Sequence, residues 1–461
     1  MLAAQTRLAP RPARRDGPAR RDGPRSRWPL AAAGLALLVA SVVMMAIGAQ
    51  PSRAQTARPA VAPGRLVAPG RLAQLQLPAP TGKYQVGTVS LHLIDRSRRN
   101  PWVASPPYRE LMVSLFYPAR DAARYPVAAQ MRPGAAAHFD TTLAKLLYGV
   151  PPHRVNWAAT LSHAHTGAPV LRTTAPWPVV LYSPGAGDDR TLSTVLEEDL
   201  ASRGYVVIAI DHPYDASEVE FPSGRLVGSV LLQRLKKAEH DGTVPQLLAK
   251  VVAVRVADTR FVAGELPSLD AGRDPGAGSP PLPTGLAGAL DLHRIGMFGV
   301  SGGGFTAAQA MYEDPAIKAG IDIDGTLEYT QNATGKHLSP VAARGLDRPF
   351  MLMGSPGTNR NDEPSWTSFW KHDRGWKLDL TLNGSDENSY KDMVALIPQV
   401  ARELGLPRSF VTRDIGHVNP ARAVAAEDAY VAAFFDRFLE HRGGALLDRP
   451  SPRYPDITFV R

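Results

Sequence analysis

The residues Arg294-Ile-Gly-Met-Phe-Gly-Val-Ser301-Gly-Gly-Gly-Phe-Thr-Ala-Ala-Gln-Ala-Met-Tyr312 decide the fold. The run Arg294–Val300 is apolar and short, as a strand buried on both faces requires, and Phe305–Tyr312 is helix-prone. Between them lies Gly299-Val-Ser-Gly-Gly303. A serine at a strand-to-helix turn with glycines on either side reads as a nucleophile elbow, because a sharp turn exposes the hydroxyl and the glycines let strand and helix approach. The same residues also read as a glycine-rich turn without chemistry.

Working outward, short apolar runs recur at Pro178–Tyr182, Tyr205–Ile210, Ala319–Ile323, Phe350–Met353 and Trp376–Leu382, most of them separated by helix-length segments. That rhythm implies an α/β fold with a mostly parallel central sheet flanked by helices. Before it, Tyr84–Leu93 and Leu111–Tyr117 alternate apolar and polar residues, which suggests an antiparallel entry to the sheet. Between about 221 and 290 the rhythm breaks. The amphipathic stretch Val244–Leu266 and the Gly/Pro/Ser segment Asp270–Gly288 read as an insertion, a lid ending in a loop. Ala421–Leu439 closes the chain as a helix with Val424, Tyr430, Val431, Phe434, Phe435 and Phe438 on one face.

Composition narrows the chemistry. The chain has 461 residues and no cysteine, so disulfides, thiolate nucleophiles and Cys-ligated metals are excluded. The net charge of +9 is concentrated in residues 1–71, with twelve Arg against Asp16 and Asp22, so the remainder is nearly neutral. Nucleic acid is therefore not an expected partner. Residues 1–27 form a basic leader, and from Trp28 to Ser52 no residue is charged. Residues 28–50 read as a signal peptide or a signal-anchor helix with the arginines on the cytoplasmic side, which makes the body exported, either extracellular or membrane-anchored. Residues 51–80, where Val61-Ala-Pro-Gly-Arg-Leu66 repeats as Val67–Leu72, read as an extended, solvated spacer ahead of a domain over 81–461.

Partners for Ser301 can be sought by position. The N–H after the nucleophile, Gly302, and one from the turn Ser183-Pro-Gly-Ala-Gly187, with Ala186 the candidate, would form an oxyanion hole. Asp324 ends the strand Ala319–Ile323 at its carboxyl edge and is the favoured acid; Asp322, Asp362 and Glu363 are alternatives. His163 and His165 have a spacing that suits a metal, but no third ligand is evident and none is expected. His212 follows the strand Val206–Ile210 and reads as a loop-ordering residue, the tryptophans near 370 as packing, and Asn332-Ala-Thr334 as a chance glycosylation sequon.

The set Pro178-Val-Val-Leu-Tyr-Ser-Pro-Gly185, Leu200-Ala-Ser-Arg-Gly-Tyr-Val-Val207, Asp211-His-Pro-Tyr-Asp-Ala216 with Glu220-Phe-Pro-Ser-Gly224, Gly296–Gly303, Ala319–Gly325 and Pro364-Ser-Trp366 resembles the platelet-activating-factor acetylhydrolase-like branch of the α/β-hydrolases, particularly its exported bacterial members. The resemblance runs from about Lys83 to the C-terminus. It implies an α/β-hydrolase fold, no cofactor, and hydrolysis of short-acyl or lipid-like esters through a Ser-Asp-His triad and an acyl-enzyme. On this resemblance Asp324 is the triad acid, and Ala186 and Gly302 are the oxyanion donors.

The histidine is where this sequence departs from the family. The family's loop after the last core strand carries it; here that loop is Asn383-Gly-Ser-Asp-Glu-Asn-Ser-Tyr390, with Glu387 at the histidine position. The residue before the nucleophile, often histidine in the family, is Val300. A carboxylate with a pKa of about 4.3 is a poor base toward a hydroxyl and would be repelled by Asp324. His417, in Asp414-Ile-Gly-His417 just ahead of the last helix, is the expected replacement, against the alternative of a surface histidine. If neither completes the triad, the chain is a hydrolase-fold protein that binds a ligand or partner instead.

Overall fold

In the computed structural model, which describes residues 72–276, 278, 280–330 and 333–461, the run before Ser301 is a strand near the middle of an eleven-stranded sheet. In chain order the strands are β1 (Gln85–Arg99), β2 (Tyr108–Ala119), β3 (Val127–Ala129), β4 (Leu161–Thr166), β5 (Trp177–Ser183), β6 (Val206–Ile210), β7 (Glu218–Glu220), β8 (Leu226–Gly228), β9 (Leu290–Val300), β10 (Ile317–Ile323), β11 (Phe350–Gly354), β12 (Lys377–Leu382) and β13 (Ile457–Phe459). The sheet runs β13-β12-β11-β10-β9-β5-β6-β2-β1-β4-β3, and β7 with β8 forms a separate antiparallel ribbon.

The strands from β6 to β12 in this sheet are parallel, with β2 antiparallel to β6 and β1 antiparallel to β2. The period-2 runs thus give the antiparallel entry and the continuous apolar runs give the parallel centre. Every residue of β5, β6 and β11 is buried, as cover on both faces demands. Phe298, Val300, Ile321 and Ile323 share one core with Phe434 and Phe435 of the closing helix Pro420–Phe438. Leu181, Ile208 and Met297 share the other with Val252, Val256 and Phe305. The closing helix starts on Pro420, with the Asn419 side chain accepting from the Arg422 N–H.

Two expectations are revised. The spacer ends earlier than position 80: Ala73, Leu75 and Leu77 are buried, Ala73 bridges Val155, and the Thr81 N–H donates to Asp199. Alternate apolar residues in an extended run suit one buried face, so this short segment packs rather than remaining solvated. The insertion contains helices Leu231–Asp241 and Val244–Asp270, and the longer one is no loose cover. Its Leu248, Val252, Arg255, Val256, Asp258, Thr259, Val262 and Leu266 are all buried. Gly276 in the following loop bridges Leu93 of β1.

The basic leader, the apolar run and most of the spacer lie outside the described residues, as does Asn332. Among the described residues no helix is long and apolar enough to cross a membrane. Trp366 and Phe369 are fully buried in the core, which fits packing.

Phe435 is fully buried, with ring neighbours Tyr205, Phe298 and Phe434 at 6.2, 6.3 and 5.4 Å between centroids. Phe435→Ala is expected to lower stability by about 3–5 kcal/mol, since the β9 side of this core cannot collapse onto the space left. Equilibrium urea unfolding of the two proteins checks it, and a difference below about 1 kcal/mol would contradict this account of the core.

Candidate active site

Strand β9 ends at Val300 and helix Gly302–Glu313 begins at once, so Ser301 makes the whole turn, with φ 54° and ψ −121°. Such backbone costs about 1–3 kcal/mol for a residue with a side chain and is held only by its surroundings. The Ser301 N–H donates to the Ile323 carbonyl at 2.7 Å. A Cβ at Gly299 would lie 2.2 Å from the Gly303 carbonyl carbon, and one at Gly303 would lie 1.8 Å from the Ser183 oxygen. Both positions therefore require glycine. The serine is only 2% exposed.

The turn after β5 meets the elbow directly. A Cβ at Gly302 would lie 3.1 Å from the Ala186 nitrogen, so the backbones of the two sequence-derived oxyanion candidates are adjacent. Arg255 and Asp215, both buried, grip that turn from below. The guanidinium donates to the Pro184 oxygen at 2.6 Å and to the Gly185 oxygen at 2.9 Å, and Asp215 accepts from the Gly187 N–H at 3.0 Å. Burial pushes the Asp215 carboxyl up, yet the Arg255 charge and hydrogen bonds bring it below the usual range.

Asp324 follows β10 with φ 55° and is buried. Its carboxylate accepts from the Ser355 N–H at 2.7 Å and from the Ser355 hydroxyl at 2.8 Å. Burial raises its pKa, and Asp386 adds repulsion, against the hydrogen bonds from Ser355 and Thr358. Asp322 is also buried and accepts from the Gly325 N–H, while Glu363 caps helix Pro364–His372 through the Trp366 N–H at 2.6 Å. Asp362 is exposed.

The Ser301 side chain is among the groups acting on the Glu387 carboxylate, as a donor that favours its ionised form. Glu387 opens the single turn Glu387–Tyr390 after β12, with Asp386 capping it, and is itself buried. The buried Lys391, one turn on, lies 3.5 Å from Glu387 Oε1 and 2.7 Å from Asp188 Oδ2. Asp188 in turn lies over Gly185, where a Cβ would be 2.3 Å from Asp188 Oδ2 and 3.7 Å from Ser301 Cβ. Burial pushes Glu387 up, Lys391 draws it back, and Asp188 and Asp324 add repulsion; its pKa is raised to about 7.

The structure does not bring His417 to Ser301. Its N–H donates to the Gly384 oxygen at 2.7 Å, which ties it to the loop that carries Glu387. The side chain, however, is exposed and lines an open depression with Pro398, Arg408, Val411 and Asn419. A glycine turn at Gly416, with φ 65°, packs closely on the Gly384 oxygen. The sequence puts Glu387 at the family's histidine position, whereas Lys391 and Asp188 were not anticipated from it. The i,i+4 spacing of Glu387 and Lys391 was the available signal.

Other candidates resolve into structure. His163 Nε2 lies 3.0 Å from the Leu77 oxygen and His165 Nδ1 lies 2.8 Å from the Tyr125 oxygen, so each ring is taken by a different carbonyl. Among the described residues no group of three His, Asp or Glu could hold a metal ion. His212 is fully buried between Ser183 and Asp258. Beside Ala186 and Gly187, a cavity of about 250 Å³ is lined by Leu143, Leu146, Leu147, Leu231 and Leu232.

Residues 70–221 match the family model described as platelet-activating factor acetylhydrolase, isoform II. A protein named probable 1-alkyl-2-acetylglycerophosphocholine esterase, from Arthroderma benhamiae, is 28% identical over 83% of this chain and 93% of its own length. The platelet-activating factor acetylhydrolase of Canis lupus familiaris is 27% identical over 33% of this chain and 36% of its own length. A ferulic acid esterase from Streptomyces cinnamoneus is similar in structure, with a TM-score of 0.64 and 34% identity over 84% of this chain and 99% of that one. With this breadth of likeness joined to a parallel sheet and a strained serine turn, the chain belongs to the platelet-activating-factor acetylhydrolase-like branch of the α/β-hydrolases and is a carboxylic ester hydrolase.

Proposed function

We propose that Ser301 is the nucleophile of a serine esterase whose proton acceptor is Glu387. The placement of the buried Glu387 carboxylate in the charge cluster beside Ser301, with Lys391 and Asp188, carries this reading. As the serine oxygen bonds the ester carbonyl carbon, its proton passes to Glu387, and the N–H groups of Ala186 and Gly302 receive the oxyanion. Collapse breaks the bond to the alcohol, which leaves with the proton from Glu387. Water then attacks the acyl-enzyme, giving its proton to Glu387, and the acid departs as Ser301 regains a proton.

The two objections to a carboxylate base turn in its favour at this position. Burial and the repulsion from Asp188 and Asp324 lift Glu387 to about 7, where an acceptor suits neutral pH. Asp324 thereby keeps an electrostatic role: a carboxylate beside the base favours the protonated base, whether that base is an imidazole or a carboxylate. His417, exposed and bonded through its backbone to Gly384, is not assigned a part in the reaction.

The leucine-lined cavity beside Ala186 suits a short or medium apolar acyl group. Esters of that kind, including lipid-like ones, are the proposed substrates, in keeping with the acetyl and ferulic acid named for the relatives. Export rests on the sequence alone: the arginine-rich leader followed by the uncharged run 28–52 suits a catalytic domain outside the cytoplasm, secreted or held by that segment.

Labelling by a fluorophosphonate is expected for the wild type, to be absent in Ser301→Ala, slowed about 10²-fold or more in Glu387→Gln, and unchanged in His417→Ala. Normal labelling of Glu387→Gln would remove the carboxylate from the proton's path. Because the base must be ionised, kcat/KM should rise with pH through about 7 and level off above it. In Glu387→Gln that limb should vanish from the profile.

Leu231→Trp would fill the cavity. It is expected to reduce hydrolysis of p-nitrophenyl octanoate about tenfold or more while leaving p-nitrophenyl acetate within about twofold. Equal losses for both esters would show that the cavity does not receive the acyl chain.

A further inference from the structure

The inserted helix Val244–Asp270 places three fully buried polar residues, Arg255, Asp258 and Thr259, on its inward side. Arg255 reaches the turn that carries Ala186 directly, and Asp258 reaches it through His212. Arg255 Nε and Nη2 donate to the two oxygens of Asp215 at 2.7 Å each. With the charge so paired, Arg255 Nη1 donates to the Pro184 oxygen at 2.6 Å and Nη2 also donates to the Gly185 oxygen at 2.9 Å. The second carbonyl matters most. In a planar trans peptide the C=O of one residue and the N–H of the next point in opposite directions. Drawing the Gly185 oxygen down onto Arg255 therefore turns the Ala186 N–H up, toward the elbow, where the Gly302 backbone lies against it.

One helical turn further on, Asp258 holds the residue that starts the turn. Its carboxylate accepts two bonds from the buried Arg109, at 3.0 and 2.6 Å, and lies 3.0 Å from His212 Nδ1. Burial alone would raise Asp258, but Arg109 and His212 together hold it far below the usual carboxylate range. His212 then presents Nε2 to the Ser183 hydroxyl at 3.0 Å. The order serine, histidine, aspartate is that of a proton relay. Ser183, His212 and Asp258 are all fully buried, however, so no ester can reach the hydroxyl. The chain anchors Ser183, whose carbonyl faces Gly303 of the elbow.

We propose that Arg255 is a positioning residue for ester hydrolysis, aiming the Ala186 N–H through its grip on the Pro184 and Gly185 carbonyls, so that the inserted helix is part of the catalytic apparatus. The proposal rests on Ser301 as nucleophile and Ala186 as oxyanion donor. Both oxygens are engaged by Arg255, and its effect is transmitted through one peptide plane. Lysine at 255 keeps the charge beside Asp215 but cannot bind two carbonyls and a carboxylate in one fixed fork.

The test uses the full chain with Arg255→Lys and Arg255→Met. For each, active sites are titrated by a fluorophosphonate, and kcat and KM are read with p-nitrophenyl acetate. The inhibition constant of a trifluoromethyl ketone, which forms an oxyanion on an active serine, is read alongside. The expected result is a loss of about 10²-fold in kcat per titrated site, a comparable weakening of the ketone, and KM within about threefold. A merely structural role would lower the melting temperature and the titrated fraction and leave kcat per site and the ketone unchanged, which would overturn the proposal. If neither variant folds, Asp215→Asn serves. It loosens Arg255 and the Gly187 N–H together, and about a tenfold loss in kcat per site is expected; an unchanged kcat would overturn the proposal. A wild type that is inert and unlabelled would overturn the nucleophile reading and this inference with it, whereas an active wild type with indifferent variants overturns this inference alone.

Discussion

The close approach of the Ser183 carbonyl to Gly303 is the contact on which the rest depends, since a side chain at 303 would occupy the oxygen's place. It lets the turn after β5 and the helix after β9 share one small volume. The elbow is then fixed from a second side, by the Ser301 N–H on Ile323 of β10. Three neighbouring parallel strands thus end at one point, and each delivers a different group: the Ala186 turn, the serine, and Asp324. Open parallel sheets place chemistry at the carboxyl ends of their strands because loops there can converge without crossing. The strain in the serine backbone is sustained by the same contacts.

Around that point the protein concentrates carboxylates. Asp188, Glu387 and Asp324 are all buried near Ser301, with Lys391 the cation among them. A full set of ionised acids there would be costly, and the cost falls on the member with the least compensation. Asp324 has Ser355 and Thr358, and Asp188 has the shorter contact with Lys391. Glu387 is pushed up by burial and drawn back by Lys391 across the longer contact, and its pKa is raised to about 7.

Much of this was legible in the sequence. The period of the apolar pattern gave both halves of the sheet, and the glycines at 299, 302 and 303 located the elbow, because local spacing encodes local geometry. Asp324 and Ala186 followed from strand ends. What escaped depended on contacts between distant segments. Nothing in the residues near 387 says that burial will lift a glutamate to about 7, since that takes Asp188, some two hundred residues earlier, as well as Asp324. His417 failed as a replacement for a similar reason: a helix start at the correct end of the sheet places the backbone, which bonds Gly384, but leaves the side chain exposed. The amphipathic stretch from Val244 looked like a lid because its apolar stripe was read without Arg255 and Asp258, whose burial makes it a support.

The order of strands in the sheet also has a consequence in time. β5 lies between β6 and β9, but β9 follows it in the chain by about a hundred residues. At a synthesis rate of roughly 5–20 residues per second, one edge of β5 stands without a neighbour for about 5–20 s after its own emergence. An unpaired apolar strand is a template for association with other chains. Helix Val244–Asp270 is synthesised within that interval and shares a core with Leu181 on β5, so the cover for one face of the strand is available ahead of its last neighbour.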